Sequence, residues 1–176
     1  MQKHITLNVI LKKYNVTRKF MKPASVKAIK EELKSRSREE LTELCLNLSK
    51  FKKENKELLT YLLFEAENEN YFIKGIKEEI KTQFNDVNRK SYYFVKKSVR
   101  KILRNTKKNI RYSKKKQTEV ELILFFCKML RGFTPSITKS IPLTNIFERE
   151  IQRVKKIILS LDPDLQYDYG IEIEEL

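Results

Sequence analysis

An all-α fold, a single-domain helical bundle of about five to seven helices, is what this sequence predicts, and three observations carry the expectation. Apolar residues recur at steps of three, four and seven along most of the chain, the spacing that gathers them on one face of an α-helix. Only 3 Gly and 4 Pro occur in 176 residues, too few for the tight turns that join the strands of an all-β chain. Charged side chains make up 35% and apolar ones 40%, a balance that suits amphipathic helices with wide solvated faces. A chain of this length buries roughly 70% of the surface its unfolded form exposes, so it needs no metal or disulfide to fold. The short connections favour antiparallel neighbours in a bundle, and a stack of helix hairpins satisfies the same pattern.

Taken in order, Ser25 caps a helix that begins at Val26 and runs through Leu33. Ser37-Arg38-Glu39-Glu40 reads as a capping box, with Glu40 three residues after the cap. Leu41, Leu44, Leu48, Phe51, Leu58, Leu62 and Phe64 follow at helical spacing, with Asn55 as a bend or the helix unbroken to Ala66. Glu67–Asn70 is a short connection. Tyr71 or Phe72 opens the next helix, with Phe72, Ile73, Ile76, Ile80 and Phe84 on one side. After a break at Asp86–Lys90, Ser91 caps a basic helix that reaches about Tyr112, and Lys114–Lys116 form a loop or frayed end. Thr118–Glu121 is a second capping box, and Glu121–Leu130 is apolar enough to be the central helix. Gly132 stops it, residues 133–141 make a loop, and Pro142 or Thr144 starts the last helix. Its apolar positions are Ile146, Phe147, Ile151, Val154, Ile157, Ile158 and Leu161, and Asp162-Pro163 ends it.

The domain organisation expected is therefore three-part. Residues 1–22 are an N-terminal extension, either a leader or a segment docked on the domain. Residues 23–161 are the helical domain, with Val26–Leu161 as its body. Residues 162–176 are an acidic C-terminal tail, whose Ile171-Glu172-Ile173-Glu174 alternation is strand-like or disordered. Cys45 and Cys127 both sit among apolar neighbours and read as buried free thiols, which favours a reducing, cytoplasmic location. No apolar run is long enough to span a membrane.

Signatures of catalysis are missing from the sequence. His4 is the sole histidine, and the three glycines at 75, 132 and 170 are isolated, so no phosphate-cradling loop can be drawn. There is no Cys-x-x-Cys and no Gly-x-Ser-x-Gly. The carboxylates Glu65, Glu67 and Glu69 read as a solvated helix end. A non-catalytic protein with no cofactor and no metal is the expectation, its oligomeric state left open.

Charge is where the sequence says most. The formal net charge is +15, and residues 89–116 hold 13 basic and no acidic side chains, whereas residues 157–176 hold 6 acidic and no basic ones. A coding bias towards lysine does not explain why Asp and Glu vanish between Asp86 and Glu119 while Glu is abundant elsewhere. Within the basic helix, Val95, Val99, Ile102, Leu103 and Ile110 form an apolar stripe. Lys97, Lys101, Arg104, Lys108, Arg111 and Lys115 form a basic one, flanked by Lys96, Arg100, Lys107 and Lys114. Like charges at i and i+4 repel by a few tenths of a kcal/mol, and a polyanion relieves them while its counterions are released. Tyr92, Tyr93 and Tyr112 near the helix ends are candidates to stack on bases. The function expected is thus nucleic-acid or other polyanion binding. A helical protein–protein interaction or scaffold role is the alternative, on an apolar patch at Phe125-Phe126, Phe133 or Ile171–Ile173. In a further reading the acidic tail folds back over the basic row.

Overall fold

The computed structural model describes residues 22–176, so the expectations for residues 1–21 lie outside the described residues. The chain forms two compact units, the first ending at Leu48 and the second beginning at Ser49. The described residues are α-helical apart from a π-helical turn, a short 3-10 turn and the connections, with no strand among them.

In the first unit the caps fall where the serines place them. The Ala28 N–H donates to Ser25 Oγ at 3.2 Å and opens α1, Val26–Lys34. The capping box forms in both directions at the start of α2, Arg38–Phe51: Ser37 N–H donates to Glu40 Oε2 at 2.9 Å and Glu40 N–H donates to Ser37 Oγ at 3.1 Å. Arg36 in the turn pairs with Glu32 and Glu40. No described residue before Tyr61 is buried. Cys45 is exposed, contrary to the expectation of a buried thiol, because α2 turns Leu44, Leu46 and Leu48 outward as well and offers it no core.

The second unit begins with a change of phase. The helix breaks at Lys52, which is extended at φ −142° and ψ 148°, three residues ahead of the expected bend at Asn55. Then α3, Lys53–Thr60, runs into a π-helical turn, Tyr61–Glu65, closed by the Ala66 N–H on the Tyr61 carbonyl at 2.9 Å. Break and π-turn together shift the helical register. Tyr61 enters the core and Phe51, Leu62 and Phe64, expected on the inner face, stand exposed.

The rest is a bundle built around one helix. α4 is Glu69–Asn85, α5 Tyr92–Ser113, α6 Lys116–Arg131, α7 Ile141–Ile158 and α8 Pro163–Glu174. α6 packs against α4, α5 and α7. Its Val120, Leu122, Ile123, Leu124, Phe126, Cys127 and Leu130 are all fully buried, as a helix apolar on nearly every side must be. Phe84 of α4 lies against Phe126 at 5.6 Å and against Phe133 at 5.8 Å between ring centroids. Each such ring contributes about 1.5–3 kcal/mol when fully buried. The expected partner patch at Phe125-Phe126 and Phe133 is accordingly absent: Phe126 and Phe133 are buried and Phe125 is half-buried.

Two segments differ from their sequence reading. The residues after Asp162 form a helix, not a strand-like or disordered tail, with Pro163 in its first turn, a position Pro favours. Leu165, Tyr169 and Ile173, four residues apart, pack on the core, and this helical period outweighs the two-residue alternation of Ile171 and Ile173. The α5–α6 connection is Lys114 and Lys115 alone, with Lys114 left-handed at φ 60°. α6 therefore starts at Lys116, and Thr118 is a buried residue inside the helix, not a cap.

Candidate nucleic-acid interface

The buried side of α5 is the one its sequence draws: Val95, Val99, Ile102, Leu103 and Ile110 are all buried. Its 22 residues rise roughly 33 Å. Three lysines expected in or beside the basic row are drawn off by carboxylates from other elements. Lys107 pairs with Glu150 of α7, its ammonium 2.7 Å from Oε2 and 2.8 Å from Oε1. Lys108 pairs with Glu57 of α3, which also accepts the Tyr112 hydroxyl at 2.8 Å. Lys115 pairs with Glu69 at 2.8 Å. These contacts anchor α5 in the bundle, so the three are structural cations before they are candidates for any ligand.

The carboxylates that hold them are perturbed accordingly. Glu69 was expected at a solvated helix end, yet its side chain is only 15% exposed. It accepts from Tyr61 at 2.8 Å, Thr118 at 2.6 Å and the Ser113 hydroxyl. Burial alone raises a carboxyl's pKa, but Lys115, Ser113, Thr118 and Tyr61 outweigh it and hold Glu69 down at about 2. At Glu57 burial is likewise overcome by Lys108 and Tyr112, and the carboxyl lies below its ordinary range. Tyr112 is pushed up by burial and by Glu57. The Glu150 side chain is 0% exposed and also accepts from Arg149 at 3.0 Å. Burial and the Glu150 charge push the Cys127 thiol up to about 12.

What remains is a face of cations without acidic partners. Lys97, Arg100, Lys101, Arg104, Arg111 and Lys114 are exposed, and none of them makes an ion pair among the described residues. Lys96 is half-buried, its ammonium 6.0 Å from the centre of the Tyr93 ring. From Lys97 to Arg111 the face spans roughly 21 Å. Towards its start, Tyr93, Lys96, Lys97, Arg100 and Arg104 line a hollow of about 430 Å³. On the other flank, Lys101 borders a groove of about 980 Å³ that α3 and α4 complete. No acid of residues 162–176 pairs with a cation of α5. The helix's ion pairs come from Glu57 and Glu150, and Lys115 beyond its end is held by Glu69.

Of the three tyrosines, Tyr93 is exposed, Tyr92 half-buried and Tyr112 buried. Tyr92 donates to the Ser136 carbonyl at 2.8 Å and ties α5 to the loop before α7, while Tyr112 is buried against Glu57. Two of the three anchoring carboxylates left a trace in the sequence. Glu150 stands four residues from both Ile146 and Val154, and Glu69 four before Ile73, so both fall on apolar stripes. Glu57 carries no such mark. Comparison with protein-family models, with curated proteins and with solved structures finds no match for this chain.

Proposed function

We propose that this protein binds nucleic acid without catalysis, contacting backbone phosphates through the exposed face of α5. The observation that supports this reading is the unpaired set Lys97, Arg100, Lys101, Arg104 and Arg111 on one helical face, in a segment without a single acid from Val87 to Thr118. Contacts of this kind position a protein on a strand and carry no sequence information by themselves.

Fluorescence anisotropy with labelled single- and double-stranded oligonucleotides across salt tests it. With about five phosphates neutralised, log affinity falls against log salt with a slope of roughly −4.5 on duplex DNA and roughly −3.5 on single strands. Glu at Lys97, Arg100, Lys101 and Arg104 abolishes binding with helicity unchanged. Lys108 is left alone, because its substitution would also free Glu57. No binding at low salt overturns the proposal.

A protein-partner surface is favoured by a separate observation. The π-helical turn exposes three consecutive large apolar residues, Leu62, Leu63 and Phe64, and such exposure marks association surfaces. Light scattering and partner capture with a Leu63→Asp, Phe64→Asp variant test this reading. Unchanged association in the variant discards it.

A further inference from the structure

The basic face does not stop at the end of α5. The hollow lined by Lys96, Lys97, Arg100 and Arg104 shares Tyr93 and Lys96 with a second one, of about 400 Å³, completed by the half-buried Tyr92 and by Lys139, Ser140, Ile141 and Pro142. Tyr93 stands where the two meet, 64% exposed, and its hydroxyl makes no hydrogen bond among the described residues. The ring has close neighbours, Phe94 edge-on at 5.4 Å and the Lys96 ammonium at 6.0 Å. Across the second hollow Ile141 is 77% exposed. An exposed aromatic ring and an exposed aliphatic side chain thus border one hollow, with lysines at 96 and 139 beside them and a line of unpaired cations leading away from it.

Resting on the phosphate-binding reading above, we infer that the ligand is single-stranded and that one unpaired base stacks on Tyr93 against Ile141-Pro142 while the adjoining backbone runs along Lys97, Arg100 and Arg104. A duplex cannot use this site, because its bases are already stacked on each other. A single strand can turn one out, and every base has a face that an aromatic ring accepts. Lys96 and Lys139 meet the phosphates on either side of that base. The Tyr93 side chain holds no part of the core, so its removal reads on the ligand and not on folding.

The experiment compares wild type, Tyr93→Phe, Tyr93→Ala and the four-Glu charge variant, each of unchanged helicity. The probes are a labelled oligothymidine, an abasic strand of equal length and a duplex, all at one salt concentration. Tyr93→Ala weakens binding to oligothymidine about tenfold, as expected for the loss of one base–aromatic stack. Tyr93→Phe binds as wild type does, and neither change alters affinity for the abasic strand or the duplex. If Tyr93→Ala binds oligothymidine as tightly as wild type while the charge variant has lost it, the stacking site is overturned and phosphate binding stands. If wild type binds none of the three probes, both fall. Equal loss by Tyr93→Ala on the abasic strand also overturns the stacking site, since no base is there to stack.

Discussion

Glu69 offers the sharpest test of how this bundle is held. Its carboxylate gathers three hydroxyls and one ammonium from the π-turn, the end of α5, the following connection and α6. Holding a carboxyl at about 2 in place of 4.5 corresponds to ~3 kcal/mol at about 1.4 kcal/mol per pH unit. The sign follows from the direction of the shift. A carboxyl depressed in the folded state stabilises above its unfolded value, and the contribution is lost as pH falls from about 4.5 towards 2. Glu69→Ala leaves the hydroxyls of Tyr61, Ser113 and Thr118 without their acceptor, all three on buried residues. At about 1–3 kcal/mol per unsatisfied group, partly relieved by water, the expected cost is ~3–5 kcal/mol. Glu69→Gln keeps an acceptor oxygen but turns amide hydrogens onto a cluster of donors, and costs ~2 kcal/mol. Urea unfolding followed by circular dichroism from about pH 7 to about pH 3 measures both. The gap between wild type and Glu69→Gln narrows as pH falls. A gap constant across that range, or a loss under ~1 kcal/mol for alanine, refutes the account of Glu69 as a charged hub.

Lys107→Met strands the fully buried Glu150 with Arg149 alone and costs ~3 kcal/mol; adding Glu150→Gln recovers more than half. A double-mutant cycle by urea unfolding checks this, and additive losses count against the pair. The thiols differ in access, with Cys45 exposed and Cys127 buried and pushed up to about 12. An aromatic disulfide reagent therefore titrates one thiol in the native protein and both in denaturant, and rapid reaction of two native thiols contradicts the burial. The unpaired cations of α5 repel one another at i and i+4, as Lys97 with Lys101 and Arg100 with Arg104. Arg100→Gln with Arg104→Gln stabilises the free protein by ~0.5 kcal/mol at low salt, and the gain shrinks as salt screens it. A gain that persists at high salt means that repulsion is not its source.

Much of the second unit was legible because its helices carry an uninterrupted apolar period. The inner faces of α4, α5 and α7 could be read residue by residue, and α6 announced itself by being apolar on nearly all sides. The errors lie where a local irregularity changes the phase of a helix or where a polar residue is satisfied at long range. The π-turn at Tyr61–Glu65 has no marker in its composition, yet it decides that Tyr61 is buried and Phe64 is not. Thr118 carries the pattern of a cap, but its hydroxyl donates to Glu69, 49 residues away, and no local rule contains that partner. The last helix was hidden by Asp162-Pro163, which reads equally as a stop for α7 and as a start for α8.

The same long-range partners reshape the candidate site. In sequence the basic segment is one row, and every lysine in it has equal standing. In the fold, carboxylates packed against α5 or its end remove Lys107, Lys108 and Lys115, all at positions where α3, α4 or α7 approaches. The cations left over, Lys97, Arg100, Lys101, Arg104 and Arg111, are exposed and make no ion pair among the described residues. This sorting separates two roles that charge counting merges. The paired lysines orient α5 on the bundle, with buried or half-buried acids as their counterparts. The unpaired ones make no ion pair with α4 or α8, although both of these helices carry several carboxylates. A face that was merely solvated would have no reason to exclude acids from its own helix, where Glu at i+4 to Lys stabilises by a few tenths of a kcal/mol per pair. Forgoing those pairs along roughly 21 Å leaves a repulsive surface of the kind a phosphate backbone would relieve, and Tyr93 at its end supplies an exposed aromatic ring in line with it.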